Sequence, residues 1–330
     1  MVYDVPDPRP APGEALIDVE RVGLCGTDVE FFTGEMAYLH MGVAAYPMRL
    51  GHEWCGTVVA VGADTDAAWV GRRVTGDTML GCGTCARCRT GRQHVCADRT
   101  EVGIRGGRPG ALAEQLTMPV TALLALPDAV DPVAGALVEP GGNALRAVDA
   151  TGLEAVGSTS PGRLLVIGSG TIGLLCAVFA RSRGIPVWLA GQDPATLDLA
   201  RTMGFPEVGA VGDVRGSTFD AVIDATNNTT TPQLAVDLVE PGGRVVLIGL
   251  AGEPSLLDAR TLTLNDVTAV GILSASPGLA ATIAAYADGS VDPRPLVAAT
   301  IGLEEVAQVL SGGRPAEAGP GPKVHVDPRL

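Results

Sequence analysis

The chain has 330 residues and a mass of 33.6 kDa, which at about 100 to 200 residues per domain predicts two domains and excludes a short peptide or a disordered tail. Hydrophobic residues make up 46% and charged residues 18%, enough for a sizeable core, and with aromatics at only 4% that core must be filled by Ala, Val and Leu. A net charge of −14 repels phosphate backbones and anionic headgroups, so nucleic acid and membrane surfaces are excluded as partners and a small molecule is expected.

The opening residues MVYDVPDPRPAPGE carry neither a basic n-region nor an apolar h-region, so no secretory signal is read and a cytoplasmic location is expected. Short strands and turns follow: Ala15 to Val19 alternates, Gly56 to Val61 is a Val-rich run, and Arg72 to Val74 follows a glycine turn. Asp131-Pro132 is a helix-start signal, and an Ala/Leu/Val pattern continues to about Ala150. Strands and helices then alternate: Leu164 to Ile167, Thr171 to Arg183, Val187 to Ala190, Pro194 to Met203, Ala221 to Asp224, Thr231 to Leu238, Arg244 to Leu250 and Val267 to Ile272. The continuous apolar strands predict burial on both faces and hence an α/β fold with a doubly wound parallel sheet. Helices at Leu279 to Ala287 and Leu303 to Leu310 and a strand at Lys323 to Val326 close the chain. The longest apolar stretch, Leu164 to Ala180, is interrupted by Gly168, Ser169, Gly170, Thr171 and Gly173, and reads as strand, turn and helix rather than a membrane span.

That turn, Gly168-Ser169-Gly170-Thr171-Ile172-Gly173, carries the first chemistry. Its glycines suit a tight turn, close backbone approach to a pyrophosphate and close helix packing, and the following helix presents free N–H groups, so a dinucleotide is the expected ligand. The next strand ends Gly191-Gln192-Asp193, and Asp193 stands about 20 residues beyond the third glycine, where an acidic residue holds the ribose; equally, Asp193 before Pro194 is an ordinary helix cap.

Four of the seven cysteines, Cys82, Cys85, Cys88 and Cys96, fall within one loop. Their spacing suits one tetrahedral Zn²⁺ with no open position, a structural staple; an Fe–S cluster is the competing reading, disfavoured by an Arg- and Gly-rich loop with no accompanying redox motif. A second, dispersed set comprises Cys25 in GLCGTD, His52 and Glu53 in LGHEWCG, and Glu139 in LVEP. A thiolate, an imidazole and a carboxylate would suit a catalytic zinc that keeps one position open, although a lone buried Cys or His is more often packing than ligand.

In this order, GLCGTD, GHE, the four-cysteine loop, VEP and GSGTIG resemble the zinc-dependent medium-chain alcohol dehydrogenase superfamily, in its polyol (sorbitol), threonine and glucose dehydrogenase branch. The resemblance spans nearly the whole chain. It implies a β-rich GroES-like catalytic domain over 1–141 and 277–330 and a Rossmann cofactor domain over 142–276. It further implies two zinc ions per chain: a catalytic one on Cys25, His52 and Glu139, with Glu53 as a fourth ligand or a carboxylate exchanging with water, and a structural one on Cys82, Cys85, Cys88 and Cys96. Thr27 matches the hydroxyl that bonds the substrate alcohol, and Glu30 stands where many members have a relay His. Gly191 falls on the family's acidic ribose position. The cofactor-binding set is then Gly168, Ser169, Gly170, Thr171, Ile172, Gly173, Gln192 and Asp193, with NAD slightly favoured over NADP. The expected activity is hydride transfer between NAD(P) and a secondary alcohol of a polyol, sugar, cyclitol or hydroxy-amino acid, in a homodimer or homotetramer. A non-catalytic, zinc-stabilised dinucleotide-binding redox sensor and a quinone reductase-like enzyme are the alternatives, and Cys25, His52 and Glu139 together count against both. Members of the family usually carry a further strand pair ahead of this segment, so the resemblance implies either that Met1 is an alternative start or that the lobe is trimmed.

Overall fold

The computed structural model describes residues 2–154 and 162–330, so Met1 lies outside the described residues. The chain divides into two compact units. One comprises residues up to Gly142 with Ser274–Gly319 and Lys323–Leu330; the other comprises Asn143–Leu273 with Pro320–Pro322.

In chain order the first unit contributes β1 (Glu14–Gly23), α1 (Gly26–Thr33), α2 (Ala37–His40), β2 (Glu53–Val61), β3 (Arg73–Gly76), β4 (Met79–Leu80), α3 (Ala86–Arg89), β5 (Thr100–Glu101), β6 (Gln115–Pro119), β7 (Leu123–Ala125), α4 (Pro132–Ala136) and the start of α5 (Val138–Ala150). The second unit contributes β8 (Leu164–Ile167), α6 (Thr171–Ser182), β9 (Val187–Gly191), α7 (Pro194–Thr202), β10 (Glu207–Ala210), β11 (Phe219–Asp224), α8 (Thr231–Leu238), β12 (Val239–Leu247), α9 (Ala259–Leu264) and β13 (Thr268–Gly271). The chain then returns to the first unit with α10 (Leu279–Ala287), β14 (Val297–Ile301), α11 (Val306–Leu310) and β15 (Lys323–Val326).

The first unit is built on a seven-stranded mixed sheet, ordered β14-β15-β1-β2-β3-β7 with β6 also paired to β1. Alternation in β1 sends Ala15, Ile17 and Val19 into a core with Trp54, Val58, Val74, Leu116 and Met118. Val22 joins the same core although it stands an odd number of residues beyond Val19, and the register shift between Val19 and Arg21 against β2 supplies the bulge that permits it. Gly23 is thereby turned to the opposite face, beside Glu53 on β2 and His325 on β15.

In the second unit six parallel strands are ordered β10-β9-β8-β11-β12-β13. The chain winds outward from β8 through β9 to β10 and crosses back to β11, so the carboxyl end of β8 lies at the topological switch point where doubly wound sheets take their ligands. The LLVI of β8 is buried throughout, as its unbroken apolar run requires, whereas the edge strand β13 is largely exposed.

Several expectations shift. The strand expected from Arg244 begins at Val239 and ends at Leu247, running through a Gly242 whose φ of 78° favours glycine. The helix expected over Leu303 to Leu310 starts as a 3₁₀ turn, Leu303–Glu305, before α11. Helix α1 stands in a region read as strands and turns. No described helix is long and apolar enough to cross a membrane.

Candidate active site

GLCGTD turns a strand into a helix. Cys25 is the N-cap of α1: its Sγ accepts from the Thr27 amide at 3.3 Å, while Asp28 accepts from the Cys25 amide at 3.0 Å, completing a capping box with sulfur in place of a hydroxyl. GHE then meets this cap. Gly51, at φ 95°, donates its N–H to Asp28 Oδ1 at 3.3 Å, and a Cβ there would stand 2.7 Å from the Leu112 nitrogen. His52 Nε2 comes to 3.2 Å from Cys25 Sγ, and its Nδ1 faces Asp28 Oδ1 at 3.7 Å, an ion-pair distance rather than a hydrogen bond.

His52, Glu53 and Asp28 are buried, and Glu139, in the first turn of α5, completes a cluster: ligand atoms of Cys25, Asp28 and His52, and of His52, Glu53 and Glu139, lie within 4.8 Å of one another. Burial opposes charge on both His52 and Asp28, yet in each the neighbours win. The Cys25 sulfur and the Asp28 carboxylate raise the His52 imidazole well above its usual range, while His52 and the Cys25 amide hold the Asp28 carboxyl below its own. His52 thus faces a sulfur from one ring nitrogen and a carboxylate from the other, with two further carboxylates in the same cluster. A tetrahedral zinc separates a thiolate sulfur from an imidazole nitrogen by about 3.5 Å, so the donor set fits that ion.

Glu53 is held by a residue from the far end of the chain. Lys323 Nζ on β15 donates to Glu53 Oε1 at 2.9 Å and Oε2 at 2.6 Å, and to the Leu24 carbonyl at 2.8 Å. Burial works against the Lys323 charge, and Glu53 outweighs it, raising the ammonium above its ordinary value. Between the two strands lies Gly23 on β1, where any Cβ would collide with Glu53 Oε2; glycine there lets the carboxylate cross β1 to its partner. Tyr286 on α10 donates to the Leu137 carbonyl at 3.1 Å, and burial, with the Glu53 charge nearby, raises its phenol. Thr27 is half-buried on the first turn of α1, and Glu30, one turn on, is raised by burial and by Glu35.

The four-cysteine loop closes on itself. Cys82 and Cys88 sulfurs are 4.0 Å apart and those of Cys85 and Cys96 are 3.8 Å apart, against about 3.8 Å for the edge of a zinc tetrathiolate. Cys85 caps the single turn of α3, and Gly81 lets the backbone pass where a Cβ would stand 2.6 Å from Cys88 Sγ.

In the second unit, Gly168 has φ 114°, and a Cβ on Gly173 would strike the Gly168 carbonyl, so both are fixed as glycine. Gly170, the N-cap of α6, has open space about it and no side-chain cap, leaving the helix's first amides available to a pyrophosphate. Thr171, Ile172 and Gly173 form the first turn of that helix. Asp193 caps α7 through Ala195 N at 3.1 Å, and Gln192 beside it is exposed. Asp224 was not anticipated. At the carboxyl end of β11 it accepts from the Thr226 amide and hydroxyl, at 3.0 and 2.8 Å, and from the Thr231 hydroxyl at 2.8 Å. Burial nonetheless raises this carboxyl above its ordinary value.

The family models agree with this architecture. Residues 11–128 match the alcohol dehydrogenase GroES-like domain and residues 171–288 match zinc-binding dehydrogenase. An L-threonine 3-dehydrogenase of Deinococcus deserti is 31% identical over 325 residues, covering 93% of this chain and 90% of the relative. The chain belongs to the zinc-dependent medium-chain alcohol dehydrogenase superfamily. A second L-threonine 3-dehydrogenase, from Legionella pneumophila, is 31% identical over 82% of this chain and 80% of its own length. Among solved structures, a zinc-binding dehydrogenase of Sinorhizobium meliloti bound to NADP superposes with a TM-score of 0.85 at 29% identity, covering 97% of this chain and 94% of that one. As a member of the superfamily, this chain is a zinc-dependent oxidoreductase that acts on a hydroxyl-bearing substrate with NAD(P).

Proposed function

We propose that the protein oxidises the secondary alcohol of a small polar substrate, a hydroxy-amino acid, polyol, sugar or cyclitol, to the ketone. The observation that carries this reading is the 3.2 Å approach of Cys25 Sγ to His52 Nε2 with Glu139 in the same cluster. Cys25, His52 and Glu139 would hold the catalytic zinc, and Cys82, Cys85, Cys88 and Cys96 the structural one. Zinc would supply a Lewis acid for the substrate oxygen, and NAD(P) the hydride acceptor. Thr27 takes the hydroxyl proton, and the half-buried Glu30 carries it onward in place of a relay histidine. Glu53, paired with Lys323, keeps the ligand cluster in register and would serve as a fourth ligand or as the carboxylate that exchanges with water. The first test is cofactor reduction with L-threonine, polyols, sugars, cyclitols and simple alcohols; turnover of simple primary alcohols alone would reject the substrate class.

Replacing Cys88 with Ser is expected to remove about one zinc ion per chain and lower Tm by roughly 5–10 °C, since a closed tetrathiolate site contributes folding energy. Metal analysis and calorimetry read both, and loss of turnover at unchanged Tm would contradict the structural role.

A cytoplasmic location is part of this reading, since a reducing compartment keeps the four clustered thiols available to a metal. NAD is taken slightly better than NADP, because the exposed Asp193 carboxylate disfavours an added phosphate. Asp193→Asn is expected to reduce the NAD/NADP ratio of kcat/KM by about twofold to fivefold, with an unmoved ratio leaving Asp193 only a cap.

Assembly as a homodimer or homotetramer is proposed through β13. This strand is the edge of the parallel sheet, and Leu250, Leu256, Leu264 and Leu273 in the same part of the chain are exposed. Light scattering is expected to give twice or four times the chain mass, and a concentration-independent monomer would overturn the proposal.

A further inference from the structure

Where a dinucleotide-binding domain ordinarily holds the adenosine ribose with a carboxylate at the strand end, β9 ends in Gly191. That position has no room for a side chain. A Cβ on Gly191 would run into Ser169 Oγ, and would stand 2.6 Å from Ser169 Cβ and 3.1 Å from Leu197 Cδ2. Ser169 is not free to yield. Its hydroxyl lies 2.7 Å from Thr196 Oγ1, and Thr196 Oγ1 donates to the Asp193 carbonyl at 3.1 Å. With the single threonine proton spent on that carbonyl, Ser169 is the donor to Thr196, and both side chains are buried, at 6% and 5% exposure. The pair therefore offers neither a carboxylate to repel a 2′-phosphate nor a free hydroxyl proton to bind one. Ser169 is also the second residue of the Gly168–Gly173 turn, so anything that displaces it disturbs the backbone that faces the pyrophosphate.

We propose that the Ser169–Thr196 hydroxyl pair excludes a ribose-binding carboxylate from position 191 in this chain, leaving the exposed Asp193 as the one carboxylate at this strand end that tilts the choice of cofactor. It fills the space from which a ribose-binding side chain at position 191 would project, fixes glycine there, and leaves an adenosine end that takes the 2′-hydroxyl and 2′-phosphate dinucleotides within about tenfold of each other. The inference rests on the reading of the protein as an NAD(P)-dependent dehydrogenase and extends it from the cofactor class to the residues that choose between its members. Two consequences follow. An acidic residue restored at 191 is not tolerated while Ser169 keeps its side chain, and the same residue becomes a selectivity element once Ser169 is reduced to glycine.

The experiment is equilibrium titration of the full-length protein with NADH and NADPH, followed by nicotinamide fluorescence without substrate. Wild type is expected to bind both nucleotides with Kd values within about tenfold of each other, and Ser169→Gly, the reference for the double variant, to weaken both to the same extent. Gly191→Asp is expected to weaken both by at least about tenfold, and Gly191→Asp combined with Ser169→Gly to bind NADH within about threefold of Ser169→Gly alone while opening a preference for NADH of about tenfold or more. Should Gly191→Asp fail to fold, Gly191→Ala with and without Ser169→Gly reads the same coupling, because the collision begins at Cβ. A Gly191→Asp protein that binds NADH as tightly as wild type, or a double variant as weak as Gly191→Asp alone, overturns the proposal. Wild type that binds neither nucleotide overturns the dehydrogenase reading itself and the proposal with it, an outcome separated from the others because it precedes any substitution.

Discussion

His52→Ala is expected to lower kcat/KM by on the order of 10³-fold or more while leaving NADH binding within about twofold of wild type. Metal polarisation of the substrate oxygen contributes several kcal/mol at the transition state, and each 1.4 kcal/mol is about a factor of ten in rate. His52 is the hub of the cluster, the residue shared by both ligand groups, with its Nε2 on Cys25 and its Nδ1 toward Asp28. Truncation leaves Cys25, Asp28, Glu53 and Glu139 as an excess of negative groups without the imidazole between them, so metal occupancy at this centre falls as well. The glycine turn proposed to take the dinucleotide belongs to the other compact unit, and its shape depends on Gly168 and Gly173 rather than on His52. Steady-state kinetics, metal analysis and NADH titration on one preparation check all three statements. Ordinary turnover by a folded His52→Ala protein would reject the role given to this cluster.

The glycine turn and the four-cysteine loop were legible because their chemistry is written locally. GSGTIG is a turn whose glycines are each needed for a reason visible in six consecutive residues, and C-x₂-C-x₂-C brings sulfurs together within one loop and one helical turn. GLCGTD and GHE offered ligand types suited to a catalytic zinc, but only family resemblance assigned them to one set. The capping box that makes α1 a helix was not anticipated, because its cap is a cysteine and sulfur is not among the usual N-cap acceptors. Strand β10 escaped because EVGA is short, only one of its four residues is buried, and it lies at a sheet edge. The ribose position shows the limit from another side. Asp193 has the right spacing for a ribose ligand and for a helix cap, and only the position of its Oδ1 beside Ala195 N shows that it caps. Asp28 reads as an ordinary first-turn acid until Gly51 and His52 come to face it from 23 and more residues away. Lys323 is the extreme case: it pairs with Glu53 across 270 positions, and nothing in PKVHV marks its lysine as the counterion of a buried carboxylate.

Lys323→Met is therefore expected to be the most destabilising single change near the site outside the proposed ligands, at about 3–5 kcal/mol, because it leaves the Glu53 carboxylate buried without its partner. Both side chains are almost wholly enclosed, so solvent does not relieve the loss. Methionine keeps most of the length and apolar bulk of the lysine stem, which confines the effect to the missing charge and its three hydrogen bonds. In a protein of this size the loss corresponds to a Tm decrease of roughly 10 °C. Glu53→Gln in the Lys323→Met background removes the stranded charge and is expected to recover at least half of that decrease, although Glu53→Gln alone destabilises by stranding the ammonium instead. Denaturation of the four proteins, wild type, two single variants and the double, gives the coupling directly. Additive losses would show that Lys323 stabilises β15 by packing alone, whereas recovery in the double variant identifies the carboxylate crossing over Gly23 as what Lys323 holds in place.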